Sequence, residues 1–199
     1  METTVGTLST KERTGMWMDI ILLLILITSM LAGFSQGTVW QLINIGALYF
    51  GVSVAAGYYT RVTRLMRKYL GPSDTLTRDT IVFLAIVFGI WGAIMLASRY
   101  SFRGVNIKTG RTLDQLGGMV IGLVVGFVWC LLLLLVLGFI TSVPWPQYDG
   151  ARMFIVNGLR HSFLRPFILS LLPLLVEVIS PWIPGGTPPI FTTIFSVIR

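Results

Sequence analysis

Apolar residues fall in long runs separated by short polar clusters rich in Lys and Arg, a pattern that belongs to membrane helices rather than to strands or amphipathic soluble helices. Gly117 to Ile140 carries no charge, and a helix over it reaches roughly 36 Å, enough to cross a hydrocarbon core of about 30 Å. Thr112-Leu113-Asp114-Gln115 precedes it as a helix start, the Thr hydroxyl and the Gln side chain each suited to an unpaired backbone N–H. Ile20 to Thr60 is also uncharged, and as one helix it would extend about 61 Å, so it must fold back. Gly33-Phe34-Ser35-Gln36-Gly37 supplies the break, predicting helices from Trp17 to Gly33 and from Val39 to Tyr59. After the turn Gly71-Pro72-Ser73-Asp74, a third helix is predicted over Asp79 to Ala97 and a fourth over Thr112 to Ile140.

Ser162 to Ile183 is apolar again, but Arg165, Pro166, Pro173 and Glu177 interrupt it. Its uncharged part, Pro166 to Val176, suits an interfacial or re-entrant helix rather than a full span. The expected fold is all-α and integral to the membrane, with four transmembrane helices and a C-terminal interfacial or re-entrant amphipathic helix. Residues 1–15 are polar and read as a disordered tail, 16–183 as the membrane domain, and 184–199 as a Pro/Gly break followed by a short apolar tail. Pro144 to Tyr148 reads as an interfacial exit and Asn106 to Gly110 as a turn.

Composition sharpens the class. Hydrophobic residues make up 54% and charged residues 12%, against about 25% charged in a soluble domain. The net charge of +7 comes from residues that flank the apolar runs, so it indicates topology and contact with lipid headgroups, not nucleic acid. Most of the 15 Lys and Arg lie on the side of the two termini, which the positive-inside rule places in the cytoplasm of a bacterial inner membrane. Lys11, Arg13 and the apolar run behind them resemble a signal peptide, but Asp19 interrupts the run, and an uncleaved first helix is expected. Arg61, Arg64, Arg67 and Lys68 recur along one helix, first a topology anchor and second a lipid or partner contact.

Small residues recur four apart in each predicted helix: Ser29, Gly33, Gly37; Ala47, Gly51, Ala55; Gly89, Ala93, Ala97; and Gly118, Gly122, Gly126. Such faces let backbones approach closely in lipid. The last set is the expected main contact surface, within the chain or between copies, and the others are expected in bundle packing. Reactive groups are sparse. With one His and one Cys, no metal cluster of the usual spacing exists, no cofactor motif is present, and a lone cysteine forms no disulfide within the chain. His161 and Ser162 are adjacent, and neighbours on a helix do not face each other, so no catalytic residue is assigned. Asp19 and Asp114 are expected at helix starts, favoured by the helix dipole. Asn44 and Gln41 suit hydrogen bonds between helices, and Glu177 suits an interfacial carboxylate.

Three stretches carry a family resemblance: Trp17-Met18-Asp19 with Ser29 and the Gly33 to Gly37 turn, Thr112-Leu113-Asp114-Gln115-Leu116-Gly117 before the glycine stripe, and Ser162-Phe163-Leu164-Arg165-Pro166. Their order and spacing resemble the colicin V production protein family of small bacterial inner-membrane proteins, with Asp19, Gly37, Asp114, Gly117, Ser162 and Pro166 as the pattern residues. Family members commonly carry Arg before the turn glycine and an Arg-Glu pair after it, where this chain has Gln36 and Trp40-Gln41. The resemblance implies a non-enzymatic membrane protein, a scaffold or accessory subunit in toxin production, export or envelope homeostasis. Two alternatives stand beside it, a small oligomeric channel or transporter and a membrane anchor for an extracytoplasmic partner. Membrane lipids, a second copy or an envelope protein are the expected partners.

Overall fold

A computed structural model of the chain describes residues 4–70, 75–101, 111–142, 149–179 and 181. The turns expected at 71–74 and 106–110, the exit at 144–148 and the tail at 184–199 lie outside these residues. Helices α1 (Thr4–Gln36), α2 (Thr38–Leu70), α3 (Thr75–Ser101) and α4 (Arg111–Ser142) each contain a stretch long and apolar enough to cross a membrane. Three short helices follow, α5 (Asp149–His161), α6 (Leu164–Leu169) and α7 (Leu172–Ile179).

The spans are longer than their apolar runs. α2 continues through the basic segment and α4 begins at Arg111, so Thr112 lies inside the first turn instead of ahead of it. Residues 4–15 are helical where composition suggests a disordered tail. No proline interrupts them, and extending an existing helix avoids the cost of a new nucleus. At its end this extension is fixed by packing, since a Cβ on Gly15 would overlap the backbone of His161.

The fold-back shrinks from five residues to one. Helical hydrogen bonding persists through Gly33, and Gly37 alone reverses the chain, with a φ of 83° that favours glycine. α1 packs on α4, α2 on α3 and on α4, and α5 on α1. Met18, Leu22, Ala55, Phe83, Val87, Leu134 and Leu135 form the centre of the core, and Ile168 and Leu172 of the short helices join it. α5 meets α6 at a bend of 75°, and α7 then runs back along the bundle until the Tyr49 hydroxyl of α2 donates to the Val178 carbonyl, 3.5 Å away. The C-terminal segment is therefore a bent pair that re-enters the bundle.

Glycine sets the α1 to α4 distance. Gly33 and Gly118 each face the other's carbonyl so closely that a Cβ on either would overlap it. A Cβ on Gly122 would lie 2.5 Å from the Ser29 carbonyl oxygen, and one on Gly126 would lie 3.0 Å from Ser29 Cβ. The α4 stripe thus lies against the α1 stripe of the same chain. Gly51 of α2 is close to α3, 3.0 Å separating its virtual Cβ from the Val87 carbonyl oxygen. The Gly89, Ala93, Ala97 set is different: all three are exposed, and a Cβ on Gly89 meets nothing within 4 Å. α3 turns Phe83 and Val87 inward instead, because bulky apolar side chains fill the interface with α2.

These contacts rank the glycines. Gly118→Ala and Gly122→Ala should each lower stability by about 1–3 kcal/mol through overpacking, and Gly89→Ala should leave it unchanged or raise it by up to about 1 kcal/mol through helix propensity. Thermal unfolding of the purified protein in detergent checks the order; equal melting of all three variants would contradict it.

Candidate functional site

A helix that stops inside a bundle leaves backbone N–H groups without partners, and in hydrocarbon each costs several kcal/mol. At the α5 to α6 bend the residue after Ser162 begins such a set. Asp19, on α1, reaches across to it. Its Oδ2 accepts the Phe163 N–H at 3.1 Å and its Oδ1 accepts the Leu164 N–H at 3.0 Å and the Ser162 hydroxyl at 2.6 Å. The Ser162 Oγ accepts the Arg165 N–H at 3.2 Å, and Pro166 has no N–H to satisfy. Arg165 turns back and donates from Nη1 to the Leu159 carbonyl at 2.6 Å, which meets one of the last carbonyls of α5. Trp17, two residues before Asp19 on α1, stacks on Phe154 of α5 with ring centroids 4.9 Å apart, and Gly158 leaves the room for its indole.

Asp19 does not begin a helix. α1 starts well before it at Thr4, so its carboxylate serves the break of a distant segment rather than the dipole of its own helix. Composition alone placed the helix start too late, which is why the dipole looked like the partner.

A second carboxylate does the same at the other end of α1. Thr38 opens α2 just after Gly37; its N–H donates to Asp114 Oδ1 at 2.9 Å and its hydroxyl donates to the Asp114 carbonyl at 2.8 Å. A side chain on Gly37 would collide with that carboxylate, and a Cβ on Gly117 would lie 2.6 Å from Thr38 Oγ1. Asp19, Ser162 and Pro166 are gathered at one end of the bundle, and Gly37, Asp114 and Gly117 at the other. Along α1 the two clusters stand about 27 Å apart, close to the thickness of the hydrocarbon core. Thr38 carries no sequence signal for its part in this, since its partner is 76 positions away.

The remaining candidates sit apart. Arg61 lies over the Tyr58 ring at 5.5 Å and Arg64 is exposed, both on α2, whereas the side chains of Arg67 and Lys68 lie outside the described residues. Ser162 donates to Asp19 and not to His161, whose Nδ1 is 2.9 Å from the Asn157 carbonyl oxygen one turn back. Glu177 is exposed on α7. Cys130 is buried with its thiol against the Leu22 carbonyl at 3.5 Å. Among the described residues no group of His, Cys, Asp and Glu is gathered as a metal site. Between α1 and α3 lies a cleft of about 530 Å³ whose floor includes Gln41 and Asn44 of α2. Asn44 Oδ1 accepts the indole N–H of Trp91 at 2.9 Å, so this amide does link two helices, and Gln41 Oε1 is buried without a hydrogen-bond partner.

Residues 18–173, most of the chain, match the colicin V production protein family, and the chain belongs to that family. No curated protein and no solved structure matches it. Membership supports a role in toxin production for an integral membrane protein.

The cap geometry is open to test. Asp19→Ala strands two backbone N–H groups and should cost about 2 kcal/mol, near the upper end for loss of a cap, with Asp19→Asn costing less because one acceptor oxygen remains. Thermal unfolding gives the size, and faster proteolysis in residues 159–166 than in the unsubstituted protein locates it. An Asp19→Ala protein that melts and digests like the original would show that the carboxylate does not hold the bend.

Proposed function

We propose that this member of the colicin V production protein family is a non-enzymatic scaffold or accessory subunit of the bacterial inner membrane, with both termini in the cytoplasm, that serves toxin production, export or envelope homeostasis. One observation carries the reading. Asp19 and Asp114 are spent on capping helix breaks, so they hold shape. Meanwhile α3 presents an outward face on which exposed Ile81, Phe88 and Leu96 flank the small residues Gly89, Ala93 and Ala97. Helix association in lipid depends on close packing at small residues, and this face has the composition to receive a helix of another protein.

A small oligomeric channel or transporter would draw on the α4 glycine stripe, Asn44 and Glu177, and two of these are engaged within the chain. The α4 glycine stripe is occupied by α1 of the same chain, and the Asn44 carbonyl is taken by Trp91.

A photo-reactive amino acid at Gly89, introduced in cells that make and export a toxin, should yield a crosslinked product containing a component of the toxin or envelope machinery, identified by mass spectrometry. The same probe at Tyr58, exposed on α2, should give less of it. Products made only of this chain would support an oligomer in place of a scaffold, and no product at either position would overturn the reading.

A further inference from the structure

We propose that the α5 to α6 bend binds the phosphate of one anionic phospholipid between Arg160 and Arg165, with an acyl chain of that lipid lying along Phe163 and Phe167. This goes beyond the scaffold reading and does not depend on it. The bend stands at headgroup depth, because Asp19, which holds it, lies about 27 Å along α1 from the reversal at Gly37, close to a hydrocarbon thickness. Arg160, in the last turn of α5, is exposed. Arg165 is partly exposed, and the hydrogen bond from its Nη1 to the Leu159 carbonyl, 2.6 Å long, draws its guanidinium back toward Arg160. The two cations are close enough to repel each other.

Like charges held together favour an anion between or beside them. The carboxylate built into the same bend does not serve, since both Asp19 oxygens accept from the Ser162 hydroxyl and the Phe163 and Leu164 N–H groups. Arg160, Arg165 and Asp19 together leave one positive charge. A phosphodiester brings one negative charge and oxygens that suit a guanidinium fork. In phosphatidylglycerol that charge is uncompensated, whereas the choline of phosphatidylcholine cancels it. The apolar half of the site favours a lipid over a soluble phosphate. Phe163 is 85% exposed and already has helical backbone angles, so Phe167, 58% exposed and four residues on, shares its face. Phe167 meets Phe127 of α4 edge-on with centroids 5.8 Å apart. An open aromatic strip therefore leads from the paired cations down the side of the bundle, the order of parts in an amphiphile with its head at the interface.

The test uses the full chain in bilayer discs of phosphatidylcholine containing a rising fraction of phosphatidylglycerol, with the rate of proteolytic cleavage within residues 159–166 as the readout. Phosphatidylglycerol should slow that cleavage about fivefold and the effect should saturate, while glycerol phosphate added to discs of phosphatidylcholine alone should not slow it. Arg160→Gln should abolish the response to phosphatidylglycerol and leave cleavage in phosphatidylcholine nearly unchanged, since Arg160 is exposed and holds no contact of the bend. Phe163→Ser should raise the fraction of phosphatidylglycerol needed. Arg61→Gln is the control for general attraction of cations to an anionic surface: Arg61 is exposed on α2 toward the same end of the bundle and lies over the Tyr58 ring, and its loss should leave the response intact. No slowing by phosphatidylglycerol, or an equal loss of response in Arg61→Gln and Arg160→Gln, would overturn the proposal. Equal protection by glycerol phosphate would overturn the lipid as occupant and assign the bend to a soluble phosphate.

Discussion

A backbone in hydrocarbon must meet all its own hydrogen bonds, and every break in a helix violates that rule until something else meets them. This chain turns sharply at Gly37 and again at Ser162-Phe163, and in both places a carboxylate from a neighbouring helix takes up the freed N–H groups. The remaining features follow. Because Asp114 is bonded to Thr38, the start of α4 is fixed against the α1 to α2 reversal, and the glycines of α4 are in register with Ser29 and Gly33. Because Asp19 holds the α5 to α6 bend, α6 and α7 turn back along the bundle, where Tyr49 of α2 meets Val178. Each acid therefore does mechanical work between helices that hydrophobic contact alone would leave free to slide in lipid.

The sequence made the spans readable because the bilayer imposes a length, and the apolar runs had that length. Their ends were less readable, since interfacial helix can carry charge: α2 continues through Arg61 and Arg64 to Leu70 although its uncharged part stops at Thr60. The small-residue spacing was visible in all four helices, yet spacing does not say which stripe meets which. α4 chose α1, and the α3 stripe was left facing outward. Asp19 shows the deeper limit. Its partners lie 143 to 145 positions along the chain, and no local pattern distinguishes a carboxylate that caps its own helix from one that caps another.

The cleft was invisible for a related reason. Gln36, Trp40 and Gln41 are the positions where the family pattern would bring charge, and the sequence shows only that charge is missing. The fold shows that all three line one concavity, opposite Trp91 and Arg99 from a helix more than forty residues further on. Neutral amides on one wall and a single cation on the other make a surface with quite different preferences from one carrying Arg and Glu.

The long separation of the Asp19 contacts has a consequence for how the protein is made. Helices enter the membrane in order of synthesis, so α1 arrives with its carboxylate unmatched and waits until Ser162 to Leu164 emerge. The Gly37 reversal is completed sooner, once Asp114 appears 76 positions later. Assembly thus has a natural sequence, with the α1 to α4 pair locked first and the bent C-terminal segment acting as the closing step. A ribosome stalled or a chain truncated before Ser162 would leave a bundle with its first clasp shut and the Asp19 carboxyl without the Ser162, Phe163 and Leu164 partners it has in the finished fold.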